Sequence, residues 1–155
     1  MRETITEAVK TAMKSGDKRR LSTLRLVQAA IKDRDIAARI DAKGRSTGQD
    51  KIDEGELLQL LQKMIKQRRE SARVYTGAGR AELAEQEELE IKIIEEYLPK
   101  QMSEAEVATA VSTVIVELGA AGLKDMGRTM AALKERYAGQ MDFGKASSVV
   151  KATLS

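Results

Sequence analysis

The sequence contains no cysteine and no histidine. Without thiols there is no disulfide, no thiolate nucleophile and no metal–thiolate site. Without imidazole the chain lacks the commonest general base and the commonest transition-metal ligand, which excludes Ser–His and Cys–His catalytic arrangements. A mechanism that uses a carboxylate or a lysine is then the only formal possibility. We therefore expect no catalytic residue, no metal and no cofactor.

Aromatic residues and proline are scarce, and long apolar runs are absent. Aromatic residues make 3% of the 155 positions and there is one proline, whereas hydrophobic residues make 42% and charged residues 33%. This composition favours an all-α protein with an aliphatic core. No segment resembles a signal peptide or reaches the roughly 20 apolar residues of a membrane span. A cytoplasmic protein without a membrane partner is therefore predicted.

The only proline, Pro99, divides the chain. Proline disfavours helical conformation in the residue before it, so a helix is predicted to end near Tyr97 or Leu98. Ser103 and Glu106 then form a capping-box pattern that begins the next helix. The predicted organisation is an N-terminal domain over residues 1–98 and a small domain over residues 99–155.

Seven helices are predicted from apolar periodicity. The first four, over about 4–14, 18–40, 54–75 and 81–97, would form two antiparallel hairpins of a four-helix bundle. Three short helices follow, capped by Ser103, Asp125 and Asp142. The polar stretch 41–50 predicts a mobile surface loop.

The predicted core residues recur at helical spacing on each helix. They are Ile5, Val9, Ala12, Met13, Leu21, Leu24, Val27, Ile31, Leu57, Leu61, Met64, Ala72, Tyr75, Leu83, Ile91, Ile94 and Leu98 in the first four helices, and Val107, Val111, Val114, Leu118, Met126, Met130, Leu133, Tyr137, Phe143, Ala146, Val150 and Leu154 in the last three.

The second predicted helix carries a basic stripe. Its cations are seven residues apart, a spacing that drifts by only about 20° around a helix. They are Lys18, Arg25, Lys32 and Arg39. The third helix has a similar set, Lys63, Lys66, Arg69 and Arg73. Such a surface can contact phosphates, as in nucleic-acid binding, but a solvated helix face is the favoured interpretation of each set alone.

Acidic residues concentrate in the middle of the chain. Residues 81–106 hold nine Asp/Glu and two Lys/Arg, whereas residues 1–48 hold six and twelve. The glutamates of the fourth helix could bind a hard metal ion, but such bundles usually add histidines. Salt bridges to the second and third helices are favoured.

The run 119–128 resembles a loop that leads into a helix N-terminus, where free N–H groups can hold a phosphate. Asp125 is predicted to occupy those groups as the helix cap. Packing of one helix against the next is the favoured interpretation.

Several short motifs, in this order and spacing, resemble YqeY-like proteins over nearly the whole chain. They are residues 24–32 (LRLVQAAIK), 66–72 (KQRRESA) with Tyr75, 78–80 (AGR), Leu83-Ala84, Glu90, Ile94, Tyr97-Leu98-Pro99, Met102-Ser103 and Asp125-Met126-Gly127-Arg128 with Met130. Arg128 stands where a lysine is commoner in the family.

The family resembles the C-terminal tail of the GatB subunit of the aspartyl/glutamyl-tRNA amidotransferase, a carbon–nitrogen ligase that uses glutamine as amido-N-donor. That tail is a helical module that touches tRNA, while the chemistry occurs elsewhere. The resemblance thus implies a two-part helical protein related to this carbon–nitrogen ligase machinery. Whether the chain is itself an enzyme stays open, because no autonomous catalytic site is visible in the sequence.

A non-catalytic module that binds tRNA is the leading hypothesis. The expected contacts are Lys124, Arg128, Lys134 and Arg136 in the small domain, with Arg25, Lys32, Lys66 and Arg69 as auxiliary contacts. The alternatives are an accessory component of tRNA-dependent amidotransferase or tRNA-charging machinery, and a scaffold whose acidic fourth helix binds a basic protein. The sequence leaves the oligomeric state open.

Overall fold

The computed structural model describes every residue from Met1 to Ser155 and contains helices without a named strand. The helices are α1 (Arg2–Ser15), α2 (Lys18–Ala38), α3 (Glu54–Gly77), α4 (Ala81–Glu95), α5 (Glu104–Leu118), α6 (Met126–Arg136) and α7 (Phe143–Leu154), with a 3-10 turn at Leu123–Asp125 before α6. The predicted all-α class and the seven helices are confirmed.

The chain divides into two compact units, an N-terminal unit (Met1–Leu98) and a C-terminal unit (Pro99–Ser155). Tyr97 and Leu98 form turn hydrogen bonds after α4, and Pro99 follows them. The division falls at the position that the proline indicates. That each unit is a domain able to fold alone stays a prediction.

In the N-terminal unit, α1 packs on α2 and α3 packs on α4, and α2 also contacts α4. Leu57, Leu61 and Ile94 lie at the centre of the aliphatic core. Asp53 and Glu56 form the predicted capping box at the start of α3, with Glu56 N–H donating to Asp53 at 2.8 Å. The helix pairs thus have the hairpin pairing that the sequence predicts.

The N-terminus of α1, the C-terminal part of α2 and the segment before α3 are joined by one buried ionic contact. Arg2 donates two hydrogen bonds to the carboxylate of Asp35, at 2.8 and 2.6 Å. The N–H of Ile52 donates to the same carboxylate at 2.9 Å, and the Ile52 carbonyl accepts from Arg2 at 3.1 Å. Asp35 is 7% exposed, so these bonds replace the water that burial removes.

The C-terminal unit has its own core, formed by residues of α5, α6 and α7. Val111, Val114, Leu133 and Val150 are fully buried in it. Ser103 and Glu106 form the predicted capping box of α5, and Gly119 ends that helix with φ +63°, a conformation that glycine adopts without strain. Asp142 caps α7 by accepting from Gly144 N–H and Lys145 N–H.

Some local predictions are wrong. Met13 is 55% exposed, although Ile5, Val9 and Ala12 on the same helix are buried. Helix α2 ends at Ala38 instead of Ile40, because residues 38–47 close a hydrogen-bonded turn with an isolated bridge between Ile40 and Ser46.

Asp125 is not the side-chain cap of α6. Its carboxylate instead accepts the backbone N–H of Ala121 and the guanidinium of Arg128, each at 2.9 Å. The carboxylate therefore ties the preceding loop to the first turn of α6. Helix α6 also ends at Arg136, before Gly139, which has φ +75° in the following turn.

Candidate nucleic-acid interface

All eight cations that the sequence predicts as contacts for nucleic acid are exposed. Lys124, Arg128, Lys134 and Arg136 belong to the C-terminal unit, and Arg25, Lys32, Lys66 and Arg69 to the N-terminal unit. Each set is therefore described on the surface of its own unit.

Arg128 is held in place by Asp125. Asp125 is 9% exposed and accepts hydrogen bonds from Ala121 N–H and the Nε of Arg128, and these bonds hold its carboxyl pKa below the ordinary value. Thr129 is fully buried and donates its hydroxyl to the Asp125 carbonyl at 2.8 Å. Arg128 thus stays half-exposed while one edge of its guanidinium is fixed.

Arg136 forms an ion pair with Glu117, which joins the last turn of α6 to the last turn of α5. The hydrogen bond from Arg136 to Glu117 raises the already high pKa of the guanidinium, so its charge is permanent. Part of that charge is compensated within the molecule.

Lys124 and Lys134 differ from these arginines because neither forms an ion pair. Lys124 lies in the 3-10 turn and Lys134 in the last turn of α6. Because six residues at about 100° each separate Arg128 from Lys134, these two side chains leave α6 about 120° apart. Two of the four predicted cations therefore lie at the N-terminal end of α6 and two at its C-terminal end, and the four do not share one helix face.

The C-terminal unit contains further exposed lysines without an ion pair, which no motif in the sequence singles out. They are Lys100, Lys145 and Lys151. Lys100 lies near enough to Glu106 to help lower the pKa of that carboxyl, although the two form no ion pair. Lys145 and Lys151 resemble ordinary surface lysines, so the sequence carries no signal for them.

The cations of α3 are largely compensated. Arg69 donates to Glu95 of α4 at 3.0 Å, and Arg73 pairs with Glu70. Arg69 and Arg73 also line an open groove of about 660 Å³ between α3 and α4, whose wall includes Lys92, Glu88 and Glu95. With acids alternating among the cations, this groove has little net positive charge.

The stripe on α2 keeps three of its four predicted cations. Lys18, Arg25 and Lys32 are exposed and form no ion pair. Arg39 lies past the end of α2, where its Nε contacts the Asp50 side chain at 3.3 Å, so it leaves the stripe. At 1.5 Å per residue, Lys18 and Lys32 are about 21 Å apart along the helix axis.

The acidic residues of the fourth helix and its end contact the second and third helices, as predicted. Glu90 pairs with Arg68 at 2.9 Å, Glu95 with Arg69 at 3.0 Å, and Glu96 with Arg20 at 2.8 Å. Since arginines form most of the ion pairs in the molecule, the positive charge that remains uncompensated is carried mainly by lysines.

Burial and the neighbouring Glu90 raise the pKa of Glu87, which lies half-buried on α4. No group of three or more acidic side chains converges on a point suited to a metal ion. No single helix has both the length and the apolar composition of a membrane span. The bent pair Glu104–Leu118 and Leu123–Arg136, at 98°, meets these criteria only when both helices are counted together.

Comparison with known proteins identifies the family. The model of the Yqey-like protein family matches residues 2–154 of the chain. The chain is also 32% identical over 152 residues to "Altered inheritance of mitochondria protein 41, mitochondrial" of Lachancea thermotolerans. The alignment covers 94% of this chain and 74% of that relative.

Proposed function

Since this chain belongs to the Yqey-like protein family, we propose that it is a non-catalytic helical protein that binds tRNA through the C-terminal unit. The observation that carries this proposal is the pair of exposed lysines, Lys124 and Lys134, that no carboxylate of the chain compensates. Ammonium groups in this state are available to backbone phosphates, whose neutralisation releases bound counterions and drives binding.

In this proposal Arg128 and Arg136 have a role that differs from that of the lysines. Asp125 and Glu117 hold their guanidinium groups near the two ends of α6, each with part of the group still exposed. An arginine can donate to a carboxylate and a phosphate at once, because its guanidinium has five N–H donors. Phosphate contact by these arginines adds orientation to the charge that the lysines supply.

The resemblance of the family to the tail of the amidotransferase GatB subunit supports tRNA as the polyanion. The motif at Asp125-Met126-Gly127-Arg128 builds the ordered turn at the start of α6. Aromatic residues are scarce in this chain, so stacking on splayed bases contributes little. Recognition rests on phosphate positions and RNA shape. Arg25, Lys32, Lys66 and Arg69, expected as auxiliary contacts, are not required for it.

Filter binding of the full chain to bulk tRNA tests the proposal. With about four phosphate contacts, the affinity falls roughly 50- to 150-fold between 50 mM and 200 mM salt. A DNA duplex of equal phosphate content serves as the competitor, and tRNA is expected to bind more tightly because shape is also recognised. Absence of binding at about 10 μM protein in 50 mM salt, a concentration typical of non-specific polyanion binding, overturns the proposal.

The same resemblance favours a second candidate function, as an accessory component of tRNA-dependent amidotransferase or tRNA-charging machinery. The chain has no histidine or cysteine, so chemistry with glutamine as amido-N-donor would reside in another protein. Glutamine-dependent amidation of mischarged tRNA is measured with and without the chain. A faster rate with the chain supports this role, and an unchanged rate excludes it.

The cytoplasm stays the proposed compartment. The name of the Lachancea thermotolerans relative places that protein in mitochondria, which makes mitochondria the alternative for this chain. Cell fractionation with an antibody to the chain separates the two.

A further inference from the structure

The outer face of α2 carries exposed aliphatic side chains that belong to none of the hydrophobic cores of the molecule. Leu26 is 49% exposed and Ile36 is 48% exposed, and Ala29 between them is also exposed. These three side chains lie within about 80° of one another around the helix. Leu24, Val27 and Ile31 point to the opposite side of α2 and are buried, so the core does not need the outer set.

The unpaired cations Lys18, Arg25 and Lys32 form one edge of this face. Their seven-residue spacing keeps them within about 40° of one another, next to the row that Ala29 and Ile36 form. We call the surface made by Leu26, Ala29, Ile36, Lys18, Arg25 and Lys32 the α2 outer face. It is an apolar row with a positively charged edge.

We propose that the α2 outer face docks an acidic amphipathic helix of a partner protein. Charge complementarity selects this occupant. A helix with apolar residues at i, i+3 and i+10 covers Leu26, Ala29 and Ile36, and glutamates every seven residues contact Lys18, Arg25 and Lys32. Nothing in the chain itself offers those carboxylates, since the three cations have no ion pair.

Other occupants fit this face less well. An RNA backbone offers phosphates to the cations but no apolar surface to Leu26 and Ile36, which would lose water without gaining contacts. A bilayer requires a wide apolar stripe, whereas this row has three aliphatic side chains and is interrupted by the exposed Asp33. A partner helix covers the row when the residue that it places over Asp33 is polar. A basic partner protein could bind the acidic surface of α4 and not the α2 outer face. However, Glu90, Glu95 and Glu96 already form ion pairs within the chain.

The probe for the test is a fluorescein-labelled 18-residue helical peptide with leucines at i, i+3 and i+10 and glutamates at seven-residue spacing. Fluorescence anisotropy with the full chain is expected to give a Kd of about 10–100 μM at 50 mM salt, because the surface is smaller than a standard interface. A peptide with lysine in place of each glutamate is expected not to bind.

Two variants separate the apolar row from the charged edge. We expect each of two double variants, Leu26→Ser/Ile36→Ser and Arg25→Glu/Lys32→Glu, to lower the affinity for the acidic peptide at least 10-fold. Only the charge-reversed variant should also reduce the salt dependence of peptide binding. Lys43→Glu/Arg45→Glu is the matched control, because these two side chains of the same unit are exposed and form no ion pair. This variant should bind the acidic peptide as tightly as the parent protein does.

Circular dichroism confirms that each variant is folded, and the milder Leu26→Ala replaces the double serine variant if it is not. The proposal is overturned by absence of saturable peptide binding up to 500 μM, by undiminished binding to the folded serine or alanine variant, or by binding of tRNA to this face in place of the peptide. The last outcome appears as loss of tRNA affinity in Arg25→Glu/Lys32→Glu, while tRNA binding through Lys124 and Lys134 does not depend on these residues.

Discussion

Arg2 and Asp35, 33 positions apart in the sequence, form a two-point ion pair that also holds the backbone of Ile52. Their nitrogen–oxygen distances are 2.8 and 2.6 Å, and the Asp35 carboxylate is buried while one third of the Arg2 side chain is exposed. The pair thus joins the N-terminus of α1, the C-terminal part of α2 and the segment before α3. The pair therefore contributes to the fold of the N-terminal unit, whereas the proposed tRNA contacts Lys124 and Lys134 belong to the C-terminal unit.

Removing one partner of this pair is expected to destabilise the N-terminal unit. Arg2→Ala leaves Asp35 buried without its cation and is expected to cost about 3 kcal/mol of unfolding free energy. Asp35→Asn keeps an acceptor for Ile52 N–H and is expected to cost about 2 kcal/mol. Urea unfolding measures both, and Glu7→Ala, which breaks the exposed pair with Lys10, is the control with an expected change under about 0.5 kcal/mol. A change of similar size in all three variants would contradict the role of the buried pair.

Stability is expected to fall at acidic pH through the same carboxylate. The hydrogen bonds from Arg2 hold the pKa of Asp35 below the ordinary value of about 3.9, so the folded state favours the ionised form. The contribution is complete above about pH 4 and is lost as the pH falls through the lower pKa of the folded state.

The free energy of unfolding, measured between pH 6 and pH 2, is expected to fall less steeply for Asp35→Asn than for the parent protein. Asp33→Asn, on the exposed side of the same helix, should leave the slope unchanged. If Asp35→Asn and the parent have parallel curves below pH 4, Asp35 does not carry this dependence.

Thr23 is buried on α2, and its hydroxyl has no hydrogen-bond partner. Because an unpaired buried hydroxyl costs free energy, Thr23→Val is expected to raise the free energy of unfolding by about 1 kcal/mol. Thr129→Val is the matched control: Thr129 is equally buried, but it donates to the Asp125 carbonyl, so its replacement should lower stability by about 1 kcal/mol. Loss of stability in Thr23→Val would show that its hydroxyl is bonded.

The division at Pro99 predicts that each unit folds alone. Residues 1–98 and 99–155 have separate aliphatic cores and separate capping boxes. Both fragments are expected to show helical circular dichroism and cooperative thermal unfolding, with the 57-residue fragment the less stable because it is short. A fragment without cooperative unfolding would mean that the chain is one folding unit.

The helices and their caps could be predicted because their causes are local. Ser103 and Glu106 are three residues apart and satisfy each other's backbone groups wherever the segment lies. The role of Asp125 cannot be predicted in this way, because its side chain has two kinds of donor within reach, the first N–H groups of α6 and the N–H of Ala121. The fold of the preceding loop decides between them, and a sequence pattern does not contain that information.

The exposure of the candidate site could be predicted, but its charge balance could not. Lys124 and Arg128 were both expected on the surface and both are there, yet only Arg128 has a carboxylate beside it. The pair of Arg136 with Glu117 joins two helices and depends on their packing. Sequence periodicity does not reveal the α2 outer face, because Leu26 and Ile36 lie opposite a buried side of α2 that is equally aliphatic. The helix therefore lacks the usual separation of a polar face from an apolar face.

The salt dependence of tRNA binding tests the central claim most directly, namely that uncompensated lysines of the C-terminal unit contact phosphates. In filter binding between 50 and 200 mM salt, Lys124→Ala/Lys134→Ala is expected to weaken binding and to reduce the slope of log K against log salt by about 2, one for each lost contact. Lys14→Ala/Lys43→Ala, an equal change of charge on exposed, unpaired lysines of the N-terminal unit, should leave the slope unchanged. Equal slopes for the parent and both variants would contradict the account.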